Sequence, residues 1–268
     1  MQDFVSWNLS KSGRSMMRAD AFFVSFPKSG RTWVRVFYYA YLAKLSGREF
    51  SLNAADFREY PHLFFTHDRW EHQMLPGWWN FIRGKHLIPP KARLKKKIIL
   101  MVRDPRDVIV SLYFHLSKRP HVFRWTPQPM GEMLRDAKFG IRHIIEQMNG
   151  WLAEWHGRPN FKLLRYEDCK ADVAGEFGGL LEFLGLLPLE ETALAHALEF
   201  SHFENMQAME AVGIFREKDL SAGNRADTDS FKARRGKVGG FCDYFSTEDF
   251  AFTVEKMKRL DSRFRYAA

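Results

Sequence analysis

A short apolar run that stops at a proline and gives way to helical periodicity constrains this chain more than any other feature. Residues 21–26 read AFFVSF, apolar enough for a strand buried on both faces. Pro27 ends the run, and Lys28-Ser29-Gly30-Arg31 supplies turn chemistry. From Thr32 the period changes: Val34, Phe37, Tyr38, Tyr41, Leu42 and Leu45 fall on one helical face, and Gly47 closes the segment. Strand, loop and helix in that order place a turn at a helix N-terminus. There the first N–H groups lack helical partners and the peptide dipoles sum to about half a positive charge. Gly30 permits close backbone approach, Lys28 adds a mobile cation and Thr32 a hydroxyl. An ordinary strand–helix turn would use the same residues, so the loop alone leaves anion binding and plain chain reversal both open.

A second unit follows the same plan. Lys97–Val102 (KIILMV) predicts a strand, residues 103–105 a turn and 106–118 a helix, with Asp104 as N-cap and Pro105 at the first helical position. Leu63–Thr66 and residues 161–166 (FKLLRY) predict two more strands. Continuous apolar strands joined through helices predict an α/β fold, a central parallel sheet flanked by helices on both faces. The Trp- and Pro-rich stretch after Thr66 reads as loop. Ile141, Ile144, Ile145, Met148, Trp151, Leu152 and Trp155 mark a long amphipathic helix, and residues 172–209 read as two or three more. Residues 212–240 are polar, hold five glycines and lack periodicity, which in a compact domain marks a functional or disordered loop. No composition break divides residues 1–268, and they read as one domain. Lys11-Ser12-Gly13-Arg14-Ser15 echoes the 28–32 loop, but no strand precedes it and a strand follows, so the echo reads as coincidence.

Composition narrows the function classes. Hydrophobic residues make up 46%, with 25 Phe, 8 Trp and 8 Tyr, which is enough for a core and argues against disorder. The formal charge of +9 suits either a polyanionic ligand or a solvated basic surface. No RRM, KH, zinc-finger or helix-turn-helix signature appears, and the basic residues cluster at strand ends, so nucleic acid is not the expected partner. Cys169 and Cys242 alone make no disulfide framework and point to a reducing compartment. The longest uncharged stretch, residues 72–82, is shorter than the roughly 18–20 residues of a membrane span. Residues 1–20 carry Asp3, Lys11, Arg14 and Arg18 without an apolar run, which is no secretory signal, and the expected location is cytoplasmic. An ATP-binding P-loop would need G-x-x-x-x-G-K-[ST], whereas Lys28 precedes the only glycine of its loop. The KIILMV strand runs into Arg103 rather than a magnesium-binding Asp, so protein cations would neutralise the anion. His62, His67 and His72 are spaced by five, which throws them to different sides of a helix or strand, and no metal site is expected.

Three segments together resemble one family. Pro27-Lys28-Ser29-Gly30-Arg31-Thr32-Trp33 resembles the phosphosulfate loop of sulfotransferases that use 3′-phosphoadenosine 5′-phosphosulfate (PAPS), usually written PKSGTTW, with Arg31 in place of a Thr. VRDPRDVIVSLYF resembles the strand–loop–helix that binds the 3′-phosphate there, with Arg103 and Ser111 eight residues apart. Residues 231–239 (FKARRGKVG) are similar to the family's RKGxxG loop, with Arg234, Arg235 and Gly236 in the key places. The resemblance implies a P-loop-like, phosphosulfate-binding strand–loop–helix, and a donor site built from Lys28, Ser29, Gly30, Arg31, Thr32, Arg103, Ser111, Arg234, Arg235 and Gly236. Trp33, Tyr166 in LLRYED and Phe203 in SHFENM resemble positions that contact adenine, although any of them could equally be core. Each cation also makes sense alone: Arg103 leaves its strand at the sheet edge that carries Lys28, and paired arginines on a glycine-flanked loop suit a phosphate. An ion pair with Asp104 or Asp107 is the alternative for Arg103.

The resemblance further implies transfer of a sulfuryl group to a hydroxyl, or else an amine, of a small molecule, lipid or glycan. Lys28 would stabilise the leaving phosphate, and its position at the loop fits that task. His67 directly follows the Leu63–Thr66 strand and resembles the catalytic His of the family's KTHLP segment, without its Lys and Leu-Pro. An imidazole titrating near neutrality can serve as general base. Residues 69–90, with Trp70, Trp78 and Trp79, are expected on the acceptor side. Family dimers use a KxxxTVxxxE stretch; the matching positions here are Cys242, Ser246, Thr247 and Ala251, and a homodimer is left open.

Overall fold

A computed structural model describes residues 11–74, 87–118, 126, 128–213, 224 and 226–267. Trp78 and Trp79 lie outside them, as do residues 214–223 and 225 of the long polar segment. The four apolar runs form the strands Ala21–Ser25 (β1), Leu63–Thr66 (β2), Lys97–Val102 (β3) and Phe161–Arg165 (β4). They pair in parallel in the order β2-β1-β3-β4. Ala21 lies opposite both Leu63 and Lys97, and Ile98 opposite Phe161, so all four strands finish at one edge. The chain leaves β1 for β2 on one side and returns to β3 on the other. Connections that diverge in this way open a crevice at the carboxyl ends of β1 and β3, the usual ligand position in such sheets.

Helix α1 (Lys11–Arg18) precedes β1, and α2 (Arg31–Ser46) follows it. Between β2 and β3 lie α3 (Arg69–Met74) and α4 (Pro90–Lys95). Helices α5 (Pro105–Lys118), α6 (Met130–Arg135) and α7 (Ile141–Trp155) join β3 to β4. After β4 come α8 (Tyr166–Ala171), α9 (Val173–Leu184), α10 (Glu191–Phe200), α11 (Phe203–Val212) and α12 (Thr247–Met257). Alternate strand residues serve opposite faces. Phe22, Val24, Ile98 and Leu100 pack with Val108 and Leu112 of α5 and Trp151 of α7. Phe23, Ile99 and Met101 pack with Phe37 and Tyr41 of α2, Phe177 of α9 and Ala197 of α10. Helices therefore cover both faces, which is why these strands carry no polar alternation. None of the helices among the described residues is long and apolar enough to cross a membrane.

Local chemistry sets the element ends. Helix α2 starts after Gly30 and stops at Gly47, whose N–H returns to the Ala43 and Lys44 carbonyls. Pro105 opens α5, and the Asp104 carboxylate accepts the Arg106 N–H at 2.8 Å. Two expectations need correction. Tyr166 is the first residue of α8 rather than the last of a strand. The segment read as loop after Thr66 holds α3 and α4, six residues each and too short to show helical periodicity. The echo at residues 11–15 lies within α1 and forms no turn.

A buried charge network closes the end of β2. Asp68, fully buried and left-handed at φ 43°, accepts the Ile88 N–H at 2.8 Å and the Trp151 Nε1–H at 3.2 Å. Arg93 donates to it at 3.2 Å and to Glu154 at 2.8 Å, and Arg69 also pairs with Glu154. Burial pushes the Asp68 carboxyl upward, and Arg93 opposes that shift. Arg93→Met would strand the Asp68 charge, and urea denaturation is expected to show a loss of about 3–5 kcal/mol. Adding Asp68→Asn should recover part of it; an unchanged midpoint for the single variant would show that the pair carries no stability.

Candidate functional site

The loop between β1 and α2 is held in an unusual backbone. Lys28 has φ 73° and Gly30 φ 109°. A Cβ on Gly30 would lie 2.6 Å from Met101 Cε and 3.0 Å from Tyr166 Cδ2, and at φ 109° any other residue would be strained there. Lysine has no such exemption, and its left-handed backbone costs roughly 1–2 kcal/mol. Left-handed residues within a turn direct N–H groups inward, the arrangement of an anion nest.

Arg103, at the end of β3, ties this loop to a distant one. Its Nη1 donates to the Lys28 carbonyl at 3.4 Å and its Nη2 to the Lys237 carbonyl at 2.9 Å. The guanidinium lies 4.4 Å from the Tyr166 ring centroid and 3.6 Å from Asp107. Its Nε is buried without a hydrogen-bond partner. Tyr166 in turn donates its hydroxyl to the Gly236 carbonyl at 3.3 Å. The β1 loop, the end of β3, the start of α8 and residues 236–237 thus meet at the crevice.

A cavity of about 1050 Å³ opens there. Lys28, Gly30, Arg31, Thr32, Trp33 and His67 line it from the β1 and β2 ends, and Arg103, Ser111 and Tyr166 from the β3 and β4 ends. Phe203, Arg234, Arg235 and Gly236 complete the wall, whereas Ser29 is buried and does not line it. Trp33 meets Tyr166 edge-on at 5.8 Å. Arg234 stacks 4.1 Å over Phe114 and bonds Tyr244 Oη at 2.9 Å and Asp229 at 3.3 Å. Arg235 is more exposed and reaches Asp243 at 3.4 Å. A Cβ on Gly236 would come 2.8 Å from the Phe203 ring, so the two pack directly.

Three contributors escape sequence reasoning. Asp107, nearly buried, accepts the Gly239 N–H at 2.8 Å and the Phe241 N–H at 3.0 Å, pinning the glycine-rich loop to α5. Its four-residue spacing from Arg103 suggested only an ion pair. Glu210 accepts backbone N–H groups of the same loop. Lys170 Nζ stands 5.8 Å from the Trp33 ring and 5.9 Å from that of Phe203.

His67 is 9% exposed, and its Nδ1 lies 2.7 Å from the Ser25 carbonyl. A carbonyl only accepts, so the proton sits on Nδ1, and in the neutral ring Nε2 keeps its lone pair. Burial holds the imidazole well below its usual 6.5, and the cations of Arg31, Lys232 and Lys28 add to the shift against the Ser25 bond. Glu71 accepts the Thr66 hydroxyl at 3.0 Å and lies 3.8 Å from Arg31, so the departure from the family loop faces a carboxylate. His62 bonds Ser15 instead, at 3.0 Å. Among the described residues no group of three or more His, Cys, Asp or Glu is placed to hold a metal ion.

The family model described as "Sulfotransferase domain" matches residues 18–267. Sulfotransferase 2A2 of Rattus norvegicus is 36% identical over 115 residues, 41% of this chain and 38% of that protein. Sulfotransferase 2A1 of the same organism is 32% identical over 184 residues, 64% of this chain and 56% of that one. The aligned stretches thus span only about a third to just over half of these curated relatives. The mouse sulfotransferase SULT7A1, solved in complex with PAP, superposes with a TM-score of 0.64 at 17% identity, covering 98% of this chain and 92% of that one. A retinol dehydratase solved with androsterone and PAP gives a TM-score of 0.57 at 19% identity over 94% and 84% of the two chains. At these identities the superpositions show a shared fold.

The state of His67 carries a sign that can be checked. A histidine kept neutral by folding binds fewer protons than in the unfolded chain, where it titrates near 6.5. Its contribution to stability is therefore complete above that pH and is lost progressively as pH falls from there toward the lowered folded value. Between about pH 7.5 and about pH 5.5 the urea midpoint is expected to fall further for the parent chain than for His67→Gln. Parallel losses would mean that the folded ring protonates normally.

Proposed function

The chain belongs to the sulfotransferase domain family, and from that premise we propose that it transfers a sulfuryl group from PAPS to an acceptor hydroxyl. One observation carries the reading: the Arg103 fork joins the Lys28 loop to residue 237, and Lys28, Arg31, Arg234 and Arg235 line one cavity beside the N-terminus of α2. Cations gathered around a helix N-terminus at one crevice suit a phosphorylated ligand. The PAP in the structures of the mouse protein and of retinol dehydratase supports a ligand of the same chemistry here.

PAPS supplies an activated sulfuryl group and a phosphate leaving group; the residues of the chain do the rest. Backbone N–H groups of residues 30–32 and the Thr32 hydroxyl hold the 5′-phosphate at the α2 N-terminus. Arg103, Ser111, Arg234, Arg235 and Gly236 hold the 3′-phosphate, while Trp33 and Phe203 flank the base and Tyr166 braces Trp33 and Gly236. Nε2 of His67 takes the acceptor proton as the new O–S bond forms and the O–S bond to phosphate breaks. Lys28 meets the charge that develops on the leaving oxygen, an interaction stronger in the transition state than before it. Arg31, paired with Glu71, adds a cation on the sulfuryl side.

A neutral base buried among cations favours a hydroxyl over an amine. An alcohol needs its proton removed as it attacks, whereas an alkyl amine arrives as an ammonium at neutral pH and would be repelled by Lys28, Arg31 and Lys232. Hydroxylated small molecules, lipids and glycans all meet this requirement.

An acceptor screen with radiolabelled sulfate donor identifies the assay, and calorimetry with PAP tests the site directly; no heat of binding would sink the proposal. Lys28→Ala is expected to lower kcat by about 10²–10³ with PAP affinity within a fewfold of the parent. A near-normal rate would remove Lys28 from the chemistry. His67→Ala should lower kcat by about 10²–10⁴ and leave PAP binding intact. If binding is lost instead, His67 holds the fold rather than the proton.

A further inference from the structure

Phe203, Gln207 and Glu210 of α11 fall at i, i+4 and i+7, on one helical face. All three hold residues 232–236, a segment with no helix or strand of its own. Phe203 packs on Gly236, where a φ of 59° and a 2.8 Å clearance would leave any side chain strained and crowded. Gln207 Nε2 donates to the Ala233 carbonyl at 3.1 Å and the Arg234 carbonyl at 3.4 Å. Glu210, only 2% exposed, accepts the Lys232 N–H at 2.6 Å and the Ala233 N–H at 3.0 Å. Ala233 also packs against the apolar group of Val36, Met206 and Met209.

The segment carries Lys232, Arg234, Arg235 and Lys237 within six residues, and such a run repels itself. A buried carboxylate on its backbone offsets part of that repulsion, and donors to its carbonyls fix the path of the chain. We propose that Gln207 and Glu210 are positioning residues that order the 3′-phosphate loop before the nucleotide arrives. The inference rests on the donor reading above. Pre-ordering a cationic loop removes the ordering cost from binding, and the gain falls on the ligand group which that loop contacts.

The test compares calorimetric binding of PAP and of adenosine 5′-phosphate, which lacks the 3′-phosphate, to the parent chain, Glu210→Gln and Gln207→Met. Glutamine keeps the shape of Glu210 but turns a donor toward a backbone N–H. Both variants are expected to reduce the preference for PAP about tenfold while adenosine 5′-phosphate binding changes by less than about twofold. A folded variant that keeps the parent preference, or one that loses both ligands equally, overturns the proposal. If Glu210→Gln does not fold, Gln207→Met, whose side chain is only half-buried, decides by the same criterion. A parent chain without preference for the 3′-phosphorylated nucleotide would sink the donor reading itself, and this inference with it.

Discussion

The donor end of the molecule depends on one guanidinium. Arg103 leaves β3 with little access to water and spends its two terminal nitrogens on the carbonyls of Lys28 and Lys237, 209 residues apart in sequence. Those bonds fix the distance between the first loop and the last. Tyr166 stacks on the same group and reaches Gly236, while Asp107 neutralises it and grips the following amides. The sheet order makes this possible, because only adjacent parallel strands such as β1 and β3 deliver their loops to one crevice.

Charge organises the other half of the site. Burial first, and then the cations of Arg31, Lys232 and Lys28, hold His67 in its neutral form, and the same cations favour an anionic ligand at the crevice. Under the proposed function, one set of cations would serve donor binding, the state of the base and discrimination against cationic acceptors. Glu71 opposite Arg31 keeps that field from being uniformly positive.

Much of the fold is readable in the sequence because each strand is a continuous apolar run bounded by turn residues. The sheet edge that gathers Lys28, His67 and Arg103 follows from where those runs stop. Helices α3 and α4 escape notice because six residues show less than two turns of periodicity. Tyr166 looks like strand because an aromatic following Leu and Arg fits either state, and its place at the start of α8 is settled by packing. Asp107 and Glu210 stay hidden for a different reason: their partners are backbone amides more than 20 residues away, and no side-chain pattern encodes an amide. The tautomer of His67 likewise depends on a carbonyl of the neighbouring strand.

The left-handed backbone of Lys28 has an evolutionary consequence. Glycine or asparagine would occupy that conformation with less strain, so a population selected only for thermal resistance would drift toward them. Such drift would leave melting behaviour improved and the crevice short of one cation. If Lys28 acts on the leaving group as proposed, lysine here trades stability for turnover, and evolving the chain under each pressure alone separates the two.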